Sequence, residues 1–257
     1  MITQIFKKLV SKNKGGQQDE EPRLPDGVRV YVIGDIHGRI DLLERLYAMI
    51  EADRNERPIA HCVEVFLGDY IDRGPSSREV LEWMVKGHSV CNKRITLRGN
   101  HELYLQDFLS DPGVISAWGQ YGGLETLHSY GLKFRMPMGE DQWADIQKGL
   151  LDVLPPSHRV FLENCILSAG AGKYFFAHAG VNPQIPLDDQ VAEDLLWIRE
   201  PFLSHGSALP KIIVHGHTPA EKPEIEAHRI GIDTGAYITG RLTCAVLEGS
   251  DVRFLST

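Results

Sequence analysis

The chain has 257 residues, 42% of them hydrophobic and 24% charged, which is enough for one large α/β domain with its own core. Its net charge of −8, without a basic block, speaks against a nucleic-acid partner, and no apolar run reaches the length of a membrane span. Phosphorylated substrates stay open, because bound metal ions reverse the local potential whatever the total charge.

Met1 to Val10 carries Ile2, Ile5, Phe6 and Leu9 at the spacing of a short amphipathic helix. It lacks the long apolar region and small-residue cleavage site of a secretory signal, so a cytoplasmic protein is expected. Ser11 to Asp26, rich in Gly, Gln, Pro and charge, reads as a linker, leaving residues 1–26 as a tail and 27–257 as the domain. Cys62, Cys91, Cys165 and Cys244 form no C-x-x-C pair and are expected to be free buried thiols.

Val28 to Ile33 is an apolar, β-branched run ending at Gly34, which predicts the first strand. From Asp41 the period changes to that of a helix, with Leu42, Leu43, Leu46, Tyr47 and Ile50 on one face. Cys62 to Leu67 is the next strand, so the segment reads as a βαβ unit with parallel pairing. Ser76-Ser77-Arg78-Glu79 fits a capping box opening a helix through Val85, and Arg94 to Leu97 is a third strand. Residues from Leu103 to about Leu154 read as a helical cap, broken at Asp111-Pro112-Gly113 and Gly122-Gly123. After Pro155-Pro156 strand signals dominate: Cys165 to Ser168, Tyr174 to His178, Ile212 to His215, His228 to Ile232 and Leu242 to Leu247. The expected fold class is α/β, with two packed mixed sheets flanked by helices.

Ligand sites in such sheets gather beyond the carboxyl ends of strands. That rule collects Asp35, His37, Asp69, Asp72, Arg73, Asn100 and His101 from the first half, and His178, His215 and His217 from the second. Carboxylate, imidazole and amide oxygen suit a divalent transition ion such as Mn²⁺, Fe²⁺ or Zn²⁺. A hydrolytic pair of ions roughly 3.5–4 Å apart needs a shared carboxylate, and Asp69, in the middle element, is the natural bridge.

Gly34-Asp35-Ile36-His37-Gly38, Gly68-Asp69-Tyr70-Ile71-Asp72-Arg73-Gly74, Gly99-Asn100-His101-Glu102, His178-Ala179-Gly180 and His215-Gly216-His217-Thr218-Pro219 follow one another, each behind a strand. In that order they resemble the motif series of the metallophosphoesterase superfamily, with its calcineurin-like fold. The Asp-Arg-Gly and Asn-His-Glu forms resemble in particular its serine/threonine phosphoprotein phosphatases, including bacterial and phage members. The resemblance spans Val28 to roughly Leu247 and implies two divalent metal ions, Mn²⁺ before Fe or Zn. It implies that one ion is held by Asp35, His37 and Asp69, and the other by Asp69, Asn100, His178 and His217. His215, in the strand before the ligand position, is read as structural.

A water between two such ions loses a proton near neutral pH, giving a hydroxide for in-line attack on phosphorus. Arg73 and Arg199 are the residues to hold the phosphoryl oxygens, since a guanidinium fork matches two of them at once. Arg199, in Leu196-Trp197-Ile198-Arg199-Glu200, rests on a shorter match to the family. His101 is the candidate to protonate a serine or threonine leaving oxygen, with Asp72 orienting it. The expected substrate is a phosphorylated protein. The alternative is a dinucleoside polyphosphate of the diadenosine tetraphosphate type. A metal-binding scaffold without catalysis would need a missing ligand or acid, and the sequence lacks neither.

Overall fold

Alternation along the strands decides which core each side chain enters. In β1 (Val28–Ile33), Val30 and Val32 point to one face while Tyr31 and Ile33 point to the other, and all four are buried. The computed structural model describes residues 24–135 and 139–257, so the helix expected over Met1 to Val10 and most of the linker lie outside the described residues. Leu24 is inside them, buried in the core with its N–H on the Gly249 carbonyl at 2.9 Å.

After β1 come α1 (Ile40–Glu56), β2 (His61–Phe66), α2 (Ser77–Lys86), β3 (Lys93–Thr96) and α3 (Asn100–Phe108). A helical stretch follows: α4 (Ile115–Trp118), α5 (Gly123–Ser129), α6 (Glu140–Val153) and α7 (Pro156–Asn164). The second half holds β4 (Ser168–Ala171), β5 (Tyr174–Ala177), α8 (Ala192–Trp197), β6 (Ile212–His215), β7 (Glu224–Ile225), β8 (Arg229–Gly231), α9 (Ala236–Thr239), β9 (Thr243–Glu248) and β10 (Asp251–Ser256).

These strands make two five-stranded mixed sheets, ordered β10-β9-β1-β2-β3 and β4-β5-β6-β8-β7. β1, β2 and β3 run parallel, with Val28 opposite His61 and Val63 opposite Lys93, while β9 and β10 are antiparallel. In the second sheet β5, β6 and β8 are parallel and β4 and β7 close it antiparallel. Val30, Val32, Val65 and Leu247 of the first sheet meet Tyr174, Phe176, Val214 and Ile230 of the second in the central core. The outer face of the first sheet carries the helices, including Trp118, Leu127, Leu150 and Leu162 of the helical stretch. The outer face of the second packs Phe175 and Ile213 against Leu195 and Phe202. This is the two-sheet α/β architecture expected from the sequence.

Local expectations are corrected at several points. The strand expected over Cys165 to Ser168 starts instead at Ser168, because α7, opened by Pro156 at a helical position that needs no N–H, runs to Asn164. Ile166, inside the expected span, makes an isolated bridge to Leu97. α2 starts at Ser77, and the Ser76 side chain makes no capping bond. Cys62 and Cys91 are joined in a disulfide, with Cα atoms 4.9 Å apart, rather than free. The chain before β3 lies beside β2, with Asn92 N–H on the Cys62 carbonyl at 3.0 Å, and so brings together cysteines 29 residues apart. Cys165 and Cys244 are free and buried, as expected. No helix among the described residues is long and apolar enough to cross a membrane.

Candidate metal centre

Three parallel strands of one sheet and two of the other end at the same side of the molecule, and the loops behind them carry the polar residues. Among the described residues, the non-glycine positions with positive φ are His37 (46°), Asp69 (50°), Asp72 (71°), Arg73 (67°) and His217 (64°). Such backbone costs on the order of 1–3 kcal/mol per residue and persists where surrounding structure fixes it. Here the cost goes into turning side chains inward. Gly68, at φ 103°, lets two of these loops touch backbone to backbone, since a Cβ there would lie 2.4 Å from Gly99 N. Glu102, fully buried, locks that contact by accepting the N–H groups of Gly99, Asp69 and Tyr70, each at 2.8 Å.

Asp69 divides its two oxygens between two sets of histidines. Oδ2 lies 3.5 Å from His37 Nε2 and 3.8 Å from His101 Nε2, whereas Oδ1 lies 3.4 Å from His178 Nε2. The ligand atoms of His37, Asp69 and His101 lie within 4.8 Å of one another, as do those of Asp69, His178 and His217. Asn100 Oδ1 joins the second set, 2.9 Å from His178 Nε2 and 3.0 Å from His217 Nδ1. His37 Nδ1 faces the Ile71 carbonyl at 2.9 Å and His178 Nδ1 the Leu67 carbonyl at 3.0 Å. A carbonyl demands the proton at Nδ1, which leaves each Nε2 lone pair aimed at the centre.

Asp35 accepts the His217 N–H on Oδ2 at 2.8 Å, but its Oδ1 is buried without a partner. A buried carboxylate oxygen in that state calls for a cation. Burial pushes the imidazoles of His37 and His217 down to about 3 and also lowers His178, so these rings are neutral, as ligation requires. Burial works to raise Asp69, yet His178, His101 and His37 around it hold its carboxyl well below the usual range. The donor set therefore fits divalent ions.

On one side of this centre stands a second constellation. His101 Nδ1 lies 2.6 Å from Asp72 Oδ2, and that oxygen also accepts the Trp118 indole N–H at 2.7 Å. Asp72 Oδ1 accepts the Thr126 hydroxyl at 2.5 Å, and the Asp72 N–H reaches the hydroxyls of Ser77 and Thr126 at 3.0 Å. Burial pulls the His101 imidazole down, but Asp69 and the bond to Asp72 outweigh it and hold it above its ordinary value. Arg73 donates to the Tyr237 hydroxyl at 2.8 Å, and its other guanidinium nitrogen lies 3.4 Å from His101 Nε2. Arg199 is exposed on the segment after α8, near enough that its charge lowers His217. His215 is buried against Phe202 with Nδ1 3.0 Å from the Gly216 carbonyl, outside both His/Asp groups, consistent with a structural histidine.

Sequence reasoning missed Glu102, Trp118, Thr126, Asp233 and Tyr237. Asp233 was within reach of the strand-end rule, since it follows β8; buried beside Asp35, it helps to push that carboxyl up after burial itself. Glu102 stood inside the quoted Gly99-Asn100-His101-Glu102 motif without being given a role, and Trp118, Thr126 and Tyr237 carry no local signal.

Parallel strand ends from two sheets, a shared buried carboxylate and histidines with inward lone pairs make a donor set suited to divalent ions. A family model described as calcineurin-like phosphoesterase matches residues 28–252, and the chain belongs to that family. A Schizosaccharomyces pombe protein, named provisionally as a serine/threonine-protein phosphatase, is 32% identical over 164 residues, 63% of this chain. The chain spans only 42% of the length of that relative. An asymmetrical bis(5′-nucleosyl)-tetraphosphatase of Anoxybacillus flavithermus is 27% identical over 82% of this chain and 87% of its own. Among solved structures, one described provisionally as a diadenosine tetraphosphatase superposes with a TM-score of 0.61 at 21% identity, covering 89% of this chain and 93% of its own. That likeness bears on the fold.

Proposed function

We propose that the protein hydrolyses phosphate esters at two divalent ions, Mn²⁺ first and Fe or Zn on the same donors. Asp35, His37 and Asp69 would hold one ion, and Asp69, Asn100, His178 and His217 the other. The observation that carries this reading is the split of Asp69, with one oxygen toward each set of histidines. When bound, such a pair of ions supplies an activated water and neutralises charge on the phosphoryl group.

The protein's own groups do the rest. Arg73, fixed by Tyr237, offers its fork to two phosphoryl oxygens, and Arg199 closes from the rim. His101 satisfies the distance criterion for a ligand, but a guanidinium nitrogen 3.4 Å from its Nε2 disfavours a metal cation there. We therefore assign His101 as proton donor to the leaving oxygen, held in position by Asp72. A donor of this kind matters most for an alkoxide, which leaves slowly without a proton. Phosphoserine and phosphothreonine in proteins are thus the first substrate reading. The second is a dinucleoside polyphosphate, supported by the tetraphosphatase relatives that match over most of both chains.

Phosphate release from a phosphoserine peptide and turnover of diadenosine tetraphosphate, each with Mn²⁺ and with excess chelator, test the proposal. Chelator-sensitive turnover of the peptide in preference to the dinucleotide supports the first reading, and the reverse order supports the second. Turnover of neither refutes the assignment as a phosphoester hydrolase.

A further inference from the structure

Three aromatic side chains outside the proposed ligand and proton-donor set adjoin its residues in the chain or in space. Tyr104 lies on α3, one turn beyond Asn100 and His101. Tyr121 precedes Gly122, whose carbonyl accepts the Arg73 N–H at 3.1 Å. Trp197 ends α8 two residues before Arg199, and its ring centroid is 6.3 Å from that of His217 at an interplanar angle of 84°. Tyr104 and Tyr121 stack with centroids 5.5 Å apart and planes inclined by 20°, and Trp197 meets Tyr104 edge to face at 5.4 Å. Tyr121 is 47% exposed although it stacks, so the outer ring adds little to the core.

We infer that Tyr104, Tyr121 and Trp197 form a platform for the base of a nucleoside phosphate whose phosphate sits at the metal centre. The inference rests on the reading that this centre takes phosphate esters, and it names nucleotides as a substrate class for it. Flat rings beside a phosphate grip match a planar heterocycle carried on the same ester, and stacking of this kind tolerates any base. An extended peptide is held instead by backbone bonds to a sheet edge or by an apolar groove. The platform stands on two α-helices and a 3₁₀ turn, which offer no strand edge. Arg73, bonded through its N–H to the Gly122 carbonyl beside Tyr121, and Arg199, two residues after Trp197, adjoin these rings, and they are the residues proposed to hold the phosphoryl group.

The test is calorimetric binding to the full chain loaded with Mn²⁺, in a His101→Asn background so that the ligands survive the titration. Adenosine 5′-monophosphate and ribose 5-phosphate are the probes, differing only in the base. The nucleotide is expected to bind about five- to a hundredfold tighter, the range that stacking on an aromatic side chain is worth. Tyr104→Leu with Tyr121→Ala should abolish that preference while leaving ribose 5-phosphate unchanged, and the matching pair of phenylalanine substitutions should retain it. Equal affinity of the two probes, a preference that survives loss of both rings, or no binding of either probe overturns the inference. So does an effect of the ring substitutions confined to phosphopeptides with an aromatic neighbour, which would assign the surface to peptides. Phosphate release from O-phosphoserine by the protein with His101 intact reports on the centre alone. If that activity is absent while the base preference holds, the proposed chemistry fails and the platform stands.

Discussion

Replacing Asp72 with asparagine tests the proton-donor assignment at an atom the structure defines. Both carboxylate oxygens receive donors: Oδ2 from His101 and Trp118, and Oδ1 from Thr126. An amide must turn its NH₂ toward one of them. Only the Thr126 hydroxyl can reverse and accept, so the amide oxygen should keep His101 and Trp118, and the fold should hold. What is lost is the charge on the bond to His101, worth about 1.5–3 kcal/mol for a hydrogen bond to an ionised group. That corresponds to about ten- to a hundredfold in the rate of a step that needs the protonated ring.

The sign with pH follows from His101 lying above its ordinary value. Its acid form persists above about pH 6.5 and is lost as pH rises through the folded value. Asp72→Asn weakens the support for that form, so the alkaline fall in turnover should move to lower pH. The assay is kcat from pH 6 to 9 for a phosphoserine peptide and for nitrophenyl phosphate, with bound metal measured in parallel. The peptide should lose about ten- to a hundredfold and the nitrophenyl ester, with its good leaving group, less than about threefold. Equal losses on both substrates with an unmoved alkaline limb, or loss of an ion, would refute the reasoning.

Asp69→Asn should bring bound metal below one ion per chain and cut turnover by more than about a hundredfold, checked by metal analysis of the purified variant. Arg199→Ala should raise the inhibition constant of inorganic phosphate by about fivefold without changing stability, because the side chain is exposed. Unchanged inhibition would return Arg199 to the surface. Burial pushes His215 down to about 3, so the folded protein resists its protonation. Stability from this group is complete above the unfolded value near 6.5 and is lost as pH falls toward 3, by about 1.4 kcal/mol per pH unit. Between pH 7 and 5, metal-free protein should therefore lose about 2 kcal/mol more than the His215→Gln variant in urea unfolding.

The candidate ligands were legible because each sits a fixed, short distance beyond a strand, and strand ends are a local property of the chain. The ends of apolar strand-like runs placed Asp35, His37, Asp69, His178 and His217, and the structure brings them together. The Asp72–His101 pairing was legible too, since both residues follow neighbouring parallel strands. The supports of that pair were not. Trp118 and Thr126 stand 46 and 54 residues from Asp72, and Tyr237 stands 164 from Arg73. Which helix rests against the β2 loop depends on how the whole helical layer buries its apolar faces, and periodicity shows only that a face exists. The pairing of Cys62 with Cys91 was hidden for the same reason, since spacing alone does not show two cysteines brought together.

The sequence by itself determined the two-sheet α/β fold and the chemical identity of the candidate donors, because strand propensity and residue type act over a few positions. Tertiary structure decided how Asp69 divides its oxygens and which hydroxyls and rings fix His101 and Arg73. Those are distances between groups far apart in the chain, and they are set when two sheets and a helical layer close on one core.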